Sequence, residues 1–210
     1  MKTIINGITK ENAIFVLMLG LCSALAVTTT FESAYVMGIC VLIVLLGSSF
    51  LISLLSKWIP DHVQIPVYIL IIGTFVTILE IFLESYVPKL HDVLGIYLPL
   101  IVVNCIVLGR SLSVYSKETL GKSLLDALGI GLGYLFALMV IAFFREILGT
   151  NTLTLMDHIS SLTGYRAVYH IPNNSILPIS ILKEPAGAFL TLGLLMGFFN
   201  LLRAHKKGRV

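Results

Sequence analysis

Six apolar runs separated by polar connections are the strongest constraint on how this chain folds. They cover about residues 13–27, 35–55, 66–84, 93–109, 123–144 and 185–202. A helix needs about 20 apolar residues to cross the hydrocarbon core of a bilayer. Only 12% of the residues are charged, whereas about a quarter are charged in soluble domains. We therefore predict an all-α integral membrane protein with six transmembrane helices in one membrane domain (residues 1–210), and exclude an ordinary soluble enzyme and a disordered chain.

The basic residues predict how the chain is oriented in the membrane. Ten of the 14 Lys and Arg residues fall on one side: at the N-terminus, after the second and fourth runs, and in the C-terminal tail. Three of the other four lie in the long connection 145–184, which weighs little in the positive-inside rule. Both termini are therefore expected on the cytoplasmic side. We interpret the first run as a retained span rather than a signal peptide, and the basic tail as a topology determinant rather than a nucleic-acid site.

The six runs divide into two sets of three, and the first run of each set contains a cysteine. Cys22 lies in the first set and Cys105 in the second. Because three is odd, a repeated three-helix unit inserts the second time upside down, about a two-fold axis in the membrane plane. We expect two inverted repeats, at about residues 12–86 and 93–203.

Both cysteine-containing runs carry signals of a broken helix. The first run is short and has Gly20 just before Cys22; the fourth contains Pro99 and Asn104 ahead of Cys105. Interrupted segments at matching positions of two repeats indicate a site near the bilayer midplane. The first helix of each repeat is therefore expected to be broken into half-helices, which enter from opposite faces and bring the two cysteines together.

A pair of thiolates in a low-dielectric interior favours a bound metal, although a disulfide is a further possibility. Iron–sulfur and structural zinc sites usually need four ligands. The histidines lie only in connections or the tail: His62, His91, His158, His170 and His205. Either another subunit supplies the missing ligands, or the metal hypothesis is wrong. The third cysteine, Cys40, is interpreted as apolar filler.

Two stretches of the chain resemble the signature of a known family of membrane subunits. They are Leu19–Thr28 (LGLCSALAVT) and Pro99–Arg110 (PLIVVNCIVLGR). The family comprises the E subunit of the Rnf complex and the D subunit of the sodium-pumping NADH:quinone oxidoreductase. The resemblance covers residues 10–200. Further matching segments are Lys10–Asn12, Ile65–Tyr68, Arg145–Gly149 and Gly187–Phe189.

The resemblance implies a redox role in the bacterial cytoplasmic (inner) membrane. In this family, two cysteines of each of two homologous subunits bind a [2Fe–2S] cluster in mid-membrane, and Cys22 and Cys105 match those ligands. The implied partners are a sister subunit of inverted topology (the A-type subunit of Rnf), the other Rnf subunits and the lipid bilayer. The chain would carry electrons, coupled to Na⁺ or H⁺ transport, without being catalytic alone. We expect Asn104 to act as a hydrogen-bond donor near the cluster, and no flavin on this chain.

The resemblance to the two family members is uneven. Pro99 and Ile65–Val67 favour the Rnf member, whereas Ser23–Ala24 favours the quinone-reductase member. After Arg110, Ser111–Ser113 replaces an Ala-Glu-Ala stretch, so no role of that glutamate is carried over. We favour the Rnf member. The rival hypotheses are a secondary transporter in which the cysteines are incidental, and a structural subunit without a cofactor.

Several charged residues near the ends of the runs are further candidates. Glu80 is a candidate for a cation path, unless it snorkels or pairs with a neighbouring helix. Arg145 and Glu146 are expected to pair with each other, with Glu184 or with the partner subunit. Asp126 is interpreted as an acid at a helix N-terminus.

Small residues and the long connection complete the predictions. Gly129 with Gly133, and Gly193 with Gly197, form small-xxx-small faces, which predict close helix packing. In the connection 145–184, the apolar piece Ile176–Leu182 is too short to span and is expected to be interfacial or re-entrant.

Overall fold

The computed structural model describes residues 14, 16–56, 58–150, 152–156, 167–170 and 184–207. Most of the described chain is helical. The helices are α1 (Leu21–Val27), α2 (Phe31–Leu55), α3 (Gln64–Tyr86), α4 (Pro88–Leu94), α5 (Cys105–Arg110), α6 (Leu120–Thr150) and α7 (Pro185–Lys207). Short 3₁₀ turns lie at Asp61–Val63 and Pro99–Ile101, and a π-helical turn at Ser111–Tyr115 continues α5.

Three helices in the described part of the chain are long and apolar enough to cross a membrane. They are Phe31–Leu55, Gln64–Tyr86 and, within α6, Leu120–Ile147. Two shorter apolar segments are Pro99–Tyr115 and Ala186–Gly197. The predicted helical membrane architecture is thus present, with the second, third and fifth runs as the long helices.

The first and fourth runs contain only short helices. α1 has seven residues and begins after Gly20, whose φ is 76°. Met18, just before it, also has a positive φ of 53°. α5 begins after Asn104, whose side-chain oxygen accepts a hydrogen bond from the Ile106 N–H (3.2 Å) and so caps the helix. In both runs, therefore, a break in the α-helix precedes a short helix.

The core lies mainly between α2 and α6, the two elements with the most extensive mutual contact. Glycines on both helices allow this close approach. A Cβ at Gly38 of α2 would lie 3.0 Å from Leu135 Cγ, and one at Gly131 of α6 would overlap Leu42. The two long helices therefore pack tightly and form a rigid support for the short ones.

The glycines of the two predicted small-xxx-small faces differ in their surroundings. Gly129 and Gly133 are buried in α6, and Gly131 between them lies in close contact with Leu42 of α2. A Cβ at Gly193 or Gly197 would meet no described atom within 4 Å. Close helix packing at those two residues therefore stays a prediction.

The long connection after α6 contains two short strands, β1 (Thr152–Met156) and β2 (Ala167–His170). They pair antiparallel, with Thr152 opposite His170 and an irregularity in the register between Thr154 and Met156. This hairpin adds a small sheet to the helical protein. The predicted interfacial piece Ile176–Leu182 lies outside the described residues.

Candidate metal centre

The two cysteines singled out by the sequence lie in the first turns of the two short helices. Cys22 is the second residue of α1 and Cys105 the first residue of α5. The backbone N–H of Gly20 donates a hydrogen bond to Cys105 Sγ at 2.8 Å. Because Gly20 is only two residues before Cys22, the amino ends of α1 and α5 adjoin. Both thiols are free and exposed on the surface of the chain.

Gly20 makes this close approach possible. Its φ of 76° lies in the left-handed region that favours glycine. A Cβ at this position would lie 2.5 Å from Ile106 Cδ1 and 3.1 Å from Tyr134 Cε2. A larger residue here would have to displace the side chains of Ile106 and Tyr134.

The donors around the sulfur atoms fit half of a metal centre. The first N–H groups of a helix have no carbonyl partner within it, and the positive end of the helix favours a thiolate. The Gly20 N–H bonded to Cys105 Sγ is the type of contact that tunes iron–sulfur centres. Within the described residues, no group of three or more His, Cys, Asp or Glu side chains is placed to hold a metal. A metal held by these two surface thiols would therefore need further ligands from elsewhere.

A buried polar network lies directly behind the two cysteines. Asn104 Nδ2 donates to Ser23 Oγ at 3.0 Å, and Ser23 Oγ lies 2.6 Å from the Tyr134 hydroxyl. Ser23 Oγ is also within hydrogen-bond distance of the Gly20 carbonyl oxygen, at 3.1 Å. The three side chains are 2%, 6% and 0% exposed for Ser23, Asn104 and Tyr134. Asn104 was expected as a donor near the cluster; its amide links the two short helices through Ser23.

Tyr134 belongs to this site although the sequence did not single it out. It lies in α6, in an apolar glycine-rich segment where its ring has the character of a core residue. Its hydrogen-bond partner Ser23 is 111 positions away in the chain, so no local spacing points to the contact. The only sequence signal is a hydroxyl in an otherwise apolar run.

Arg145, near the end of α6, holds the carboxyl end of α1. It is 2% exposed. Its guanidinium donates to the Leu25 carbonyl (3.1 Å), to Thr28 Oγ1 (2.7 Å) and to the Glu184 carbonyl (3.2 Å). A cation at the carboxyl end of a helix satisfies carbonyl groups that lack partners and offsets the helix dipole. α1 is therefore anchored at both ends.

Glu146, the next residue, anchors the helix that follows. Its Oε2 accepts a hydrogen bond from the Phe31 N–H at 2.7 Å, at the start of α2. Glu184 was one of the partners predicted for Arg145 and Glu146. Arg145 does contact Glu184, but through the backbone carbonyl of Glu184. Adjacent residues of α6 thus clamp the turn that joins α1 to α2.

Truncation of Arg145 is expected to destabilise the protein strongly. Arg145→Ala removes the donor to the buried Thr28 hydroxyl and to the partly buried carbonyls of Leu25 and Glu184, at a cost of about 3 kcal/mol. The matched control is Lys122→Ala, because Lys122 pairs with Glu118 at 3.0 Å in an exposed i,i+4 arrangement worth about 0.5 kcal/mol or less. Thermal unfolding of the detergent-solubilised complex measures both. Equal melting temperatures for the two variants would contradict the anchoring role.

Two other predicted acids have partners on neighbouring elements. Glu80 Oε1 lies 3.9 Å from His91 Nε2 of α4, so the acid pairs with a neighbouring helix. Asp126 Oδ1 lies 3.5 Å from Arg110 Nη1, at the end of α5. The interpretation of Asp126 as a residue at a helix N-terminus is wrong, because α6 already begins at Leu120.

Comparison with known proteins shows which membrane subunits this chain is similar to. Residues 1–196 match the family model of the Rnf-Nqr subunit, a membrane protein. The E subunit of the Na(+)-translocating ferredoxin:NAD(+) oxidoreductase complex of Acetobacterium woodii is 42% identical over 200 residues, covering 95% of each chain. The E subunit of the ion-translocating oxidoreductase complex of Methanosarcina acetivorans is 41% identical, over 98% of this chain and 92% of that one. The corresponding subunit of Pasteurella multocida is 38% identical, over 96% and 90%.

These matches run over nearly the whole chain, including both cysteine-containing short helices and the long helices behind them. The prediction of a multi-pass membrane protein of this family is confirmed. With the family model matched over residues 1–196 and three relatives above 30% identity, the chain belongs to the Rnf-Nqr family of membrane subunits.

Proposed function

We propose that this chain is the E subunit of an ion-translocating ferredoxin:NAD⁺ oxidoreductase (Rnf) complex. In this proposal, it carries electrons across the membrane through a [2Fe–2S] cluster shared with a homologous sister subunit. The names of the relatives support the complex. The observation that carries the redox role is the contact between the Gly20 N–H and Cys105 Sγ, which joins the two cysteine-containing helices at their amino ends.

The exposure of both thiols supports a centre shared between two chains. Cys22 and Cys105 are exposed although they lie in apolar runs. Apolar side chains that would otherwise face lipid are exposed close to them in sequence: Met18 (57%) and Val103 (63%). A thiolate facing lipid is costly. A partner that covers this surface and adds two thiolates completes the four ligands that a [2Fe–2S] cluster needs.

The order of the helices supports a sister subunit of the same design. A short helix followed by two longer ones occurs twice, as α1–α2–α3 and as α5–α6–α7. As part of the proposal, the two sets are inverted repeats of six membrane segments, with both termini cytoplasmic in the bacterial inner membrane. A homologous partner of opposite orientation then presents its own pair of short-helix cysteines to this one.

The residues of this chain hold the centre and keep water away from it. When bound, the cluster accepts and releases one electron. Cys22 and Cys105 supply two ligands, and the Gly20 N–H stabilises negative charge on the Cys105 sulfur. Ile106 is completely buried beside them and helps to exclude water. In the proposed complex, electron transfer through this site is coupled to Na⁺ or H⁺ transport.

The proposed centre is testable on the intact complex. Density maps of the purified complex, with anomalous scattering at the iron edge, should place two iron atoms between Cys22, Cys105 and two thiols of the sister subunit. Side chains alone between the two subunits would contradict the shared cluster, and leave a transporter or a structural subunit as the function.

An activity measurement separates the two complexes to which family members belong. Membranes containing the complex are expected to reduce NAD⁺ with reduced ferredoxin and to move cations at the same time. Oxidation of NADH by quinone, without any reaction with ferredoxin, would instead assign the chain to the quinone-reductase complex.

A further inference from the structure

We infer that Tyr134 is a positioning residue for the shared centre. Its hydroxyl links the two cysteine-containing helices through Ser23 and Asn104 and raises the reduction potential of the centre. This inference rests on the proposed function, since it concerns the same pair of cysteines, and it adds a residue of α6 to the site.

The linkage follows from the positions of three side chains along the chain. Ser23 directly follows Cys22, and Asn104 directly precedes Cys105. Asn104 Nδ2 donates to Ser23 Oγ at 3.0 Å, and Ser23 Oγ lies 2.6 Å from the Tyr134 hydroxyl. One chain of hydrogen bonds therefore joins the neighbours of both cysteines to the rigid helix α6.

The ring of Tyr134 adds a packing contact at the same point. Tyr134 is completely buried, and its Cε2 would lie 3.1 Å from a Cβ at Gly20. The ring thus supports the residue whose N–H is bonded to Cys105 Sγ. Removal of the hydroxyl alone leaves this packing in place, which makes the hydroxyl's contribution separable from that of the ring.

The protons in the network allow two arrangements. Asn104 Oδ1 accepts from the Ile106 N–H, and its amide donates to Ser23. The single proton of Ser23 points either to the Gly20 carbonyl, at 3.1 Å, or to Tyr134. In the first arrangement Tyr134 donates to Ser23. In the second, Ser23 donates to Tyr134, and the Tyr134 proton is available for another acceptor.

The second arrangement of protons stabilises the reduced form of the centre. Ser23 directly follows Cys22 and Asn104 directly precedes Cys105, so the Tyr134 hydroxyl dipole belongs to a network that adjoins both sulfur-bearing residues. An additional electron on the centre favours turning the hydroxyl proton toward that charge, and in a low-dielectric site the gain is larger than in water. Tyr134 therefore stabilises the reduced form relative to the oxidised form.

The test is a redox titration of the intact complex with Tyr134→Phe. The cluster should be retained, and the equilibrium constant for its one-electron reduction should fall about tenfold, which corresponds to about 59 mV. Tyr115→Phe is the matched control: Tyr115 is also completely buried, but its hydroxyl has no hydrogen-bond partner among the described residues. Its removal should leave the potential unchanged. A tyrosine with a merely structural role would change the melting temperature and not the potential.

A double-mutant cycle with Ser23→Ala tests whether the network acts as a unit. Ser23→Ala should lower the potential as well, and the double variant should show a shift smaller than the sum of the two. If Tyr134→Phe lowers the cluster content, the potential is measured on Ser23→Ala. An unchanged potential in the variant measured, or strictly additive shifts, would overturn the inference.

The same titration separates this inference from the proposed function. A wild-type complex without a signal that depends on Cys22 would overturn the proposed function itself. A wild-type signal that keeps its potential in Tyr134→Phe and Ser23→Ala would overturn only the role of Tyr134.

Discussion

Replacement of Cys22 or Cys105 by serine is expected to abolish one [2Fe–2S]-type signal in the reduced complex. Ferredoxin-dependent NAD⁺ reduction should fall by more than about 100-fold, since even changes around a metal's ligands cost about 10–100-fold. A serine hydroxyl has a similar size, but it does not supply the thiolate that iron–sulfur clusters require. Electron paramagnetic resonance of the reduced complex and the NAD⁺ assay measure the two effects.

Cys40→Ser is the control for these variants. Cys40 lies in α2, is free, and is 2% exposed in the core. A hydroxyl buried there costs about 1–3 kcal/mol of stability, but the iron signal and the activity should persist. If Cys22→Ser and Cys105→Ser keep the full signal as Cys40→Ser does, the redox assignment is wrong.

Gly20→Ala is expected to separate the amino ends of α1 and α5. The added Cβ would lie 2.5 Å from Ile106 Cδ1, in a backbone conformation with φ 76°. The left-handed conformation costs an alanine about 1–2 kcal/mol, and forced overpacking costs about 1–3 kcal/mol more. Because the Gly20 N–H is bonded to Cys105 Sγ, the complex should lose both stability and most of its cluster. Thermal unfolding and iron spectroscopy of the same preparation measure these losses.

Gly73→Ala provides the matched glycine substitution. Gly73 lies inside α3, where a Cβ would meet only Val102 Cγ1, at 3.8 Å. Alanine is favoured over glycine in a helix by about 1 kcal/mol, so this variant should be as stable as the wild type or slightly more stable. Similar behaviour of Gly20→Ala would show that the approach of the two short helices does not require a glycine.

The long helices were predictable because their apolar residues are contiguous, and their ends were less so. The third run was predicted at about 66–84, and α3 covers Gln64–Tyr86. α2 begins earlier than predicted, at Phe31, because Thr30 caps it and the polar residues of its first turn are buried. α6 continues past residue 144 because Arg145 and Glu146 have partners elsewhere in the fold. Polar side chains mark a helix end only when the folded chain provides no partner for them.

The candidate site was predictable where it depends on local signals. A glycine just before Cys22 and the residues preceding Cys105 indicated two interrupted segments, and the structure has short helices there whose amino ends adjoin. The roles of Tyr134 and Arg145 were not predictable in this way. Their contacts with Ser23 and Thr28 join residues 111 and 117 positions apart, so no short motif contains both partners.

The sequence by itself determined that this chain lies in a membrane, where its long helices run, and which two cysteines are the candidates for a metal centre. Those properties follow from apolar length, charge distribution and the breaks near Cys22 and Cys105, all of which are local. Only the tertiary structure decided that the Gly20 N–H donates a hydrogen bond to the Cys105 sulfur. It also decided that Tyr134 and Arg145 of α6 form hydrogen bonds with α1. A short helix is not stable alone, so its position is set by packing and hydrogen bonds between distant residues.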